Sequence, residues 1–411
     1  MNFEYFIAKR LIKGKEHKSS IASTIIRIAI FAIVVGTIMM LITIATGIGL
    51  QRKIREKVSA FHGHIIIKSF DNNDSAESLK AIALQQPFYP EFKNVEGIAA
   101  IQPYATKAGV IRTATDFEGI VIKGVDTTFN WQYFKPHLIQ GELPDFSKPR
   151  NNEVLLSAYT ANRMGFVLED KITVFFLKKG SNTNANIRVF NIVGIYDSGL
   201  KEFDESFMFV DIAHIRKMNK WKDDEVGGFE VFIDDFDQID QKGLEVYQNI
   251  PSDLEAETIT YKYANIFEWL KLFDLNIFGI ISIIIVVAGI NMITALLVLI
   301  LERTPMIGIL KATGASDNSI RKIFLYNAGY LILVGLFWGN LIGISVLVIQ
   351  KYFGVISLNP ETYYVDTAPV FISPSLILLL NIGTMLLCLL MLLIPSYIIS
   401  KIAPSKAIKF D

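Results

Sequence analysis

The sequence holds a single cysteine in 411 residues, Cys388, so no intrachain disulfide can brace the fold. It lies inside a long apolar run and gives no redox information. Histidine is scarce at five. His62 and His64 flank Gly63 with no Cys or further His nearby, and His17, His137 and His214 stand alone, so the ligand spacing of a metal site is missing. Asp234, Asp235, Asp237 and Asp240 lack the glycine and terminal Glu of an EF-hand loop and read as solvated carboxylates at a helix N-terminus. No G-x-x-x-x-G-K-[ST] or other phosphate loop occurs, which argues against ATP binding or hydrolysis by this chain. Any ATPase acting with this chain is therefore expected to be a separate polypeptide.

Charge is absent from four long stretches, 28–50, 275–301, 323–350 and 367–400. With 51% hydrophobic residues and a mean hydropathy of +0.39, the chain is too apolar for an ordinary soluble domain. A helix needs roughly 20 residues to cross about 30 Å of hydrocarbon. All four stretches qualify, the last after a non-helical start. The first is longer than a signal-peptide core and no small-x-small cleavage site follows Leu50, so it reads as a retained anchor. The near absence of ionisable groups from the spans argues against ion or proton translocation.

Lysine and arginine beside the spans set the orientation. Lys9, Arg10, Lys13, Lys15, Lys18 and Arg27 precede the first, Arg303, Lys311, Arg321 and Lys322 occupy the 302–322 loop, and Lys401, Lys406 and Lys409 follow the last. Only Lys351 lies between the third and fourth. Both termini and the 302–322 loop are therefore expected in the cytoplasm. Residues 51–274 form one large domain on the far side, with 26 Lys and Arg against 33 Asp and Glu and no basic footprint for nucleic acid.

The expected fold is a polytopic α-helical membrane protein with four transmembrane helices and a large two-lobed α+β extracytoplasmic domain inserted between helices 1 and 2. Residues 1–50 supply an amphipathic N-terminal helix and the first span, and 275–411 a permease domain with three spans. Helical periodicity continues past Leu50 through Ile54, Val58 and Phe61 and returns at Ile266, Leu270 and Phe273, predicting two stalks. Segments 65–67 (strand), 76–85 (helix) and 108–113 (strand) are repeated in kind by 229–233, 238–248 and 257–261. This makes a split lobe of 61–113 plus 226–264, with a strand-rich lobe of about 114–225 inserted. Its strands are expected at 120–123, 153–156, 171–177, 187–195 and 206–210.

A short helix at 304–314 is delimited between two spans. Thr304 is the expected N-cap, Pro305 fits the first turn, Gly314 the left-handed end, and Ser316 with Asp317 caps the next helix. An element so short and so bounded suits docking into a partner that supplies force. Asn291, Asn327 and Asn340 are expected to join membrane helices, and Gly335, Gly339 and Gly343 mark a close-packing face, within the chain or between chains. Met39 and Met40 make the outer half of the first span soft and apolar.

Three segments resemble the transmembrane subunits of lipoprotein-releasing ABC transporters, the LolC/LolE type, within the MacB/FtsX-like permease class. They are Tyr5-Phe6-Ile7-Ala8-Lys9-Arg10-Leu11 with Gly49-Leu50-Gln51-Arg52-Lys53; Val193-Gly194-Ile195-Tyr196-Asp197-Ser198-Gly199-Leu200 with Phe203-Asp204 and Phe209-Val210; and Glu302-Arg303-Thr304 with Ile307-Gly308-Ile309-Leu310-Lys311-Ala312 and Gly314-Ala315. The last departs from the family pattern in carrying Met306 where an acidic residue often stands.

The resemblance implies a non-catalytic inner-membrane subunit that pairs with a second copy or a paralogous permease. A separate ATPase dimer, holding ATP and Mg, would grip the coupling residues Glu302, Arg303, Thr304, Ile307, Gly308, Leu310, Lys311 and Gly314, with Gly308 permitting close approach. Lipoprotein is the implied substrate, drawn from membrane lipid into a cavity lined by Met39, Met40, Thr43, Ile283 and Val287 and passed to a periplasmic chaperone. The hairpin bearing Lys178, Lys179, Asn182 and Arg188 lies where related chains engage that chaperone; a plain solvated hairpin fits it equally. A MacB-like exporter of peptides or drugs and an FtsX-like signalling subunit that controls a cell-wall hydrolase stay open as alternatives.

Overall fold

The computed structural model describes residues 3–13, 21–73, 75–148, 150–177 and 185–401, which divide into two compact units. The first comprises Met1–Gln51, Leu270–Ser357 and Thr367–Asp411, and the second Arg52–Trp269 with Leu358–Asp366.

Six helices build or enter the first unit: α1 (Phe3–Lys13), α2 (Ile21–His62), α3 (Ala264–Glu302), α4 (Thr304–Ala312), α5 (Asp317–Phe353) and α6 (Pro374–Ser396). Of these, α2, α3, α5 and α6 are long and apolar enough to cross a membrane, and residues 367–373 before α6 are non-helical as expected. Their shared core gathers Ile33, Leu296, Ile300, Phe324, Ile332 and Leu392. Asn340 and Asn381 exchange amide hydrogen bonds of 2.6 and 3.0 Å between α5 and α6, the helix-joining role expected of a buried amide. α1 packs along α5, with Ala8 buried, Ser319 donating to Glu4 at 3.1 Å and Tyr5 edge-on to Tyr326.

The glycine ladder of α5 is used inside the chain. A Cβ at Gly335, Gly339 or Gly343 would lie 2.6, 2.6 and 2.8 Å from Ile33, Thr37 and Leu41, so each glycine seats one residue of α2 at the same four-residue interval. Gly339→Leu should therefore force α2 and α5 apart, costing about 1–3 kcal/mol or more. Thermal unfolding in detergent checks this. Gly383, where an added Cβ would meet nothing within 4 Å, is the control: Gly383→Leu should unfold like the parent.

The second unit is built on β1 (Ile65–Ser69), β2 (Ile82–Ala83), β3 (Ile98–Arg112), β4 (Phe117–Val125), β5 (Leu138–Gly141), β6 (Glu153–Ser157), β7 (Lys171–Leu177), β8 (Ala185–Tyr196), β9 (Phe207–Asp211), β10 (Glu225–Val226), β11 (Gly228–Ile233) and β12 (Leu254–Thr258). Ten form one mixed sheet in the order β12-β1-β11-β3-β4-β9-β6-β8-β5, with β7 against β3 and β8. The β4–β9 and β6–β8 pairings are parallel. Strands far apart in sequence thus meet at one end, where β1 lies between β11 and β12. The acidic cluster does start a helix: the Asp235 carboxylate accepts the Asp237 amide ahead of Ile239–Gln248, and Asp237 pairs with Arg55 at 2.7 Å.

Two expected elements are corrected. Residues 76–85 hold no helix, because Asn72 Oδ1 accepts the amides of Leu79 and Lys80, each at 2.9 Å, and the Ser78 amide donates to the Thr106 carbonyl. Those bonds pin the chain in an open path that ends in β2, paired with β10. The strand expected at 257–261 stops at Thr258, whose hydroxyl accepts the Tyr261 amide and so starts a helical turn, Ile259–Lys262, ahead of α3.

Candidate functional site

Only Arg303 separates the end of α3 from the start of α4, and this corrects the expected cap. Thr304 is the first helical residue, and its hydroxyl donates to the carbonyls of Leu301 (2.8 Å) and Ile300 (3.2 Å), satisfying acceptors at the end of α3 rather than donors of α4. Pro305 occupies the first turn, Gly314 is left-handed at φ +94°, and Ser316 accepts the Ser319 amide to start α5. Ile307 and Gly308 are buried in this chain's own core, while Met306 and Leu310 pack against it. Gly308 is therefore enclosed by this chain itself. The outward face is instead Glu302, Pro305, Ile309, Ala312 and Thr313, with Ile309 57% exposed. Its spacing of three and four was legible in the sequence, but which of two apolar faces looks outward was not.

Lys311 is also committed within the chain. Its ammonium donates to the Ile399 carbonyl at 2.8 Å and pairs with Asp317 at 2.9 Å, so it ties α4 both to the chain following α6 and to the first turn of α5. A cation on those terminal carbonyls is favoured by the helix dipole. The loop between two spans is thereby anchored at both sides.

Among the expected cavity residues, Met39, Ile283 and Val287 are exposed and Thr43 is half-buried. Met40 is 1% exposed and does not share their face, a correction that follows from its position one residue, about 100°, around the helix. Met39 continues an outward stripe of Ile28, Phe31 and Val35 on α2, and α3 presents Phe278, Ile283, Val287 and Ile290. The two helices touch where Gly36 meets Ile284 and Gly47 meets Ile277. These stripes carry no charge or hydrogen-bonding group, so they suit acyl chains. Of the hairpin residues, Lys178, Lys179 and Asn182 lie outside the described residues; Arg188 is half-buried on β8 opposite Val174.

In the second unit, the signature segment surrounds the end of α2. Phe61 stacks on Phe203 at 4.7 Å and 8°, with Phe134, Tyr196 and Phe209 around it. Lys123 donates to the Phe61 carbonyl and pairs with Glu230 at 2.5 Å, both side chains fully buried. Burial holds the Lys123 pKa below its ordinary value, with Glu230 opposing, and pushes neighbouring His62 well below its own, helped by Lys262 and Lys123. Gln102 donates to the other Glu230 oxygen at 3.0 Å. The helix terminus is thus held both by rings and by charge.

Within the same segment, Asp204 accepts the Ser198 hydroxyl at 2.7 Å and amide at 3.1 Å, and Ser157 donates to the Asp204 carbonyl. Burial raises the Asp204 pKa to about 6 despite those bonds. The folded protein therefore keeps a proton that the unfolded chain loses near pH 4, and stability falls between about pH 4 and 6 and stays lower above that. Asp204→Asn preserves the acceptor and removes the charge. It should stabilise the protein at pH 7.5 by roughly 1–3 kcal/mol, or a few degrees, with the gain vanishing below about pH 4. Thermal scans at the two pH values check the sign.

Two family models match this chain: MacB-like periplasmic core domain over residues 28–241 and FtsX-like permease C-terminal over 278–404. Along its whole length the chain is 23% identical to the lipoprotein-releasing system transmembrane protein LolC of Neisseria meningitidis serogroup B, covering 100% of both. It is 24% identical to LolC of Haemophilus influenzae, again over 100% of both, and 19% identical to LolE of the same organism over 99% of both.

Proposed function

From a chain that belongs to the MacB-like periplasmic core domain family and carries an FtsX-like permease C-terminal region, we infer a transmembrane subunit of an ABC transporter that extracts lipoproteins from the inner membrane for transfer to a periplasmic carrier. The observation that carries this reading is the end-to-end likeness to LolC and LolE proteins of the lipoprotein-releasing system. The chain is a non-catalytic permease, and ATP with Mg belongs to a separate ATPase.

In the finer reading, both termini and α4 are cytoplasmic, as the flanking lysines and arginines favour. The second unit is a two-lobed periplasmic domain inserted between the first and second spans. An ATPase dimer grips the outward face of α4. A second copy or a paralogous permease faces the apolar stripes of α2 and α3, and closure of the ATPases moves α4, which Lys311 links to the neighbouring helices. Helices α2 and α3 contribute residues to both units, giving displacement a continuous helical route to the domain that hands cargo to the chaperone.

The cargo's chemistry explains the uncharged stripes. At roughly 0.8 kcal/mol per methylene, a triacyl anchor of about 45 methylenes would cost on the order of 35 kcal/mol to expose to water. Extraction needs an apolar path in which the chains stay covered. Depletion of the protein from its native cell should therefore leave mature lipoproteins in the inner membrane, measured by membrane fractionation. Correct lipoprotein sorting accompanied by sensitivity to peptides or drugs would favour the exporter instead.

A further inference from the structure

Residues Leu358–Asp366 follow α5 in sequence yet belong to the second compact unit, beside Arg52–Trp269. The Leu358 amide donates to the Asp366 carbonyl at 2.8 Å, closing a small loop around the helical turn Pro360–Tyr363. Tyr364 then adopts φ +60°, a left-handed conformation rare for a bulky side chain and kept only where the surroundings over-determine it.

Two contacts do so. The Tyr364 carbonyl accepts the Lys57 ammonium at 2.7 Å, and its ring stands edge-on to Trp269 at 5.7 Å and 83°. Lys57 lies on α2 and Trp269 on α3, so one residue touches both stalks. Lys57 is 7% exposed, and burial holds its pKa below the ordinary value, helped by Lys53 and opposed by Asp366, Asp197 and Asp204. The signature turn completes the enclosure. Gly199 sits at φ +66°, and a Cβ there would come within 2.6 Å of the Lys57 nitrogen, so a side chain at this position would push the ammonium from its place beside the Tyr364 carbonyl.

We propose that the 358–366 loop is a collar that ties the two stalks and the signature turn into one body, with Lys57 and Tyr364 as positioning residues for the transmission of force to cargo. This rests on the transporter reading above. The aromatic socket holds only the end of α2. The collar joins α2 to α3 within the second unit alongside Phe236, whose ring lies under Arg55 of α2 and stacks on Phe267 of α3, and it is supplied by chain that enters from α5 and leaves toward α6.

The test uses the complete permease–ATPase complex in nanodiscs. Lys57→Met removes the donor and keeps the buried stem; Tyr364→Gly suits the left-handed backbone and keeps the carbonyl but loses the ring; Tyr364→Phe keeps both contacts. Lipoprotein released per ATP hydrolysed should fall at least about fivefold in Lys57→Met, the lower end of typical coupling between sites, with hydrolysis itself unchanged. Tyr364→Gly should fall by less, and Tyr364→Phe should match the parent. Unchanged release per ATP in both Lys57→Met and Tyr364→Gly would overturn the proposal, as would a loss of release and hydrolysis in equal proportion, the mark of a merely structural role. Spin labels at Glu56→Cys and Glu268→Cys, in a Cys388→Ser background, read the collar without cargo. Their distance distribution should broaden in Lys57→Met, and an unchanged width would overturn the collar. A parent complex that hydrolyses ATP and releases no lipoprotein, with label distances behaving as described, would count against the cargo reading alone.

Discussion

Ile309→Asp should leave the protein inserted in the membrane and strip it of its ATPase. Ile309 is the large apolar side chain on the outward face of α4, between Pro305 and Ala312, while Ile307 and Gly308 on the opposite face belong to the chain's own core. A charge at an exposed position leaves that core intact. At the centre of a docked interface it would be desolvated without a partner, and truncations at such centres cost about 2 kcal/mol or more, roughly thirtyfold in affinity. Co-purification of the ATPase from detergent extracts should fall by that factor and lipoprotein release with it. Gly308→Trp should behave differently. At a buried position the added indole should lower the amount of folded permease rather than separate a folded one from its partner. Equal ATPase recovery from the Ile309→Asp variant and the parent would contradict the docking face.

Much of this architecture is legible in composition and period. Runs of uncharged residues mark all four apolar helices because a helix in hydrocarbon has few other solutions, and β7 falls at 171–177 as its β-branched and aromatic alternation requires. Local pattern misled where a side chain reached beyond its own segment. Residues 76–85 have a helical look, but Asn72 and Thr106 take their backbone and hydroxyl groups for a fold that sequence spacing cannot reveal. Thr304 has the identity of a cap, yet α3 ends so close that its hydroxyl serves the preceding carbonyls. Gly308 and Ile309 illustrate the same limit at the coupling helix: periodicity locates two faces, and only packing against Ile320 and Phe324 in the shared core says which is inside. Lys57 reads as one of several stalk lysines until the chain brings Tyr364 and Gly199 to it from far along the sequence.

Site-specific photocrosslinking at Met39 and Ile283 tests lipoprotein extraction most directly. Both side chains project from the uncharged stripes of α2 and α3, at 53% and 65% exposure, whereas Met40 is enclosed and serves as the internal control. In the assembled complex, a photoreactive residue at Met39 or Ile283 should capture acylated lipoprotein, and the adduct should diminish when ATP is added with the ATPase present. The same group at Met40 should capture little. Adducts that ignore acylation and ATP, or cargo captured only within the second unit, would contradict an acyl path along these helices and point to export of a soluble substrate.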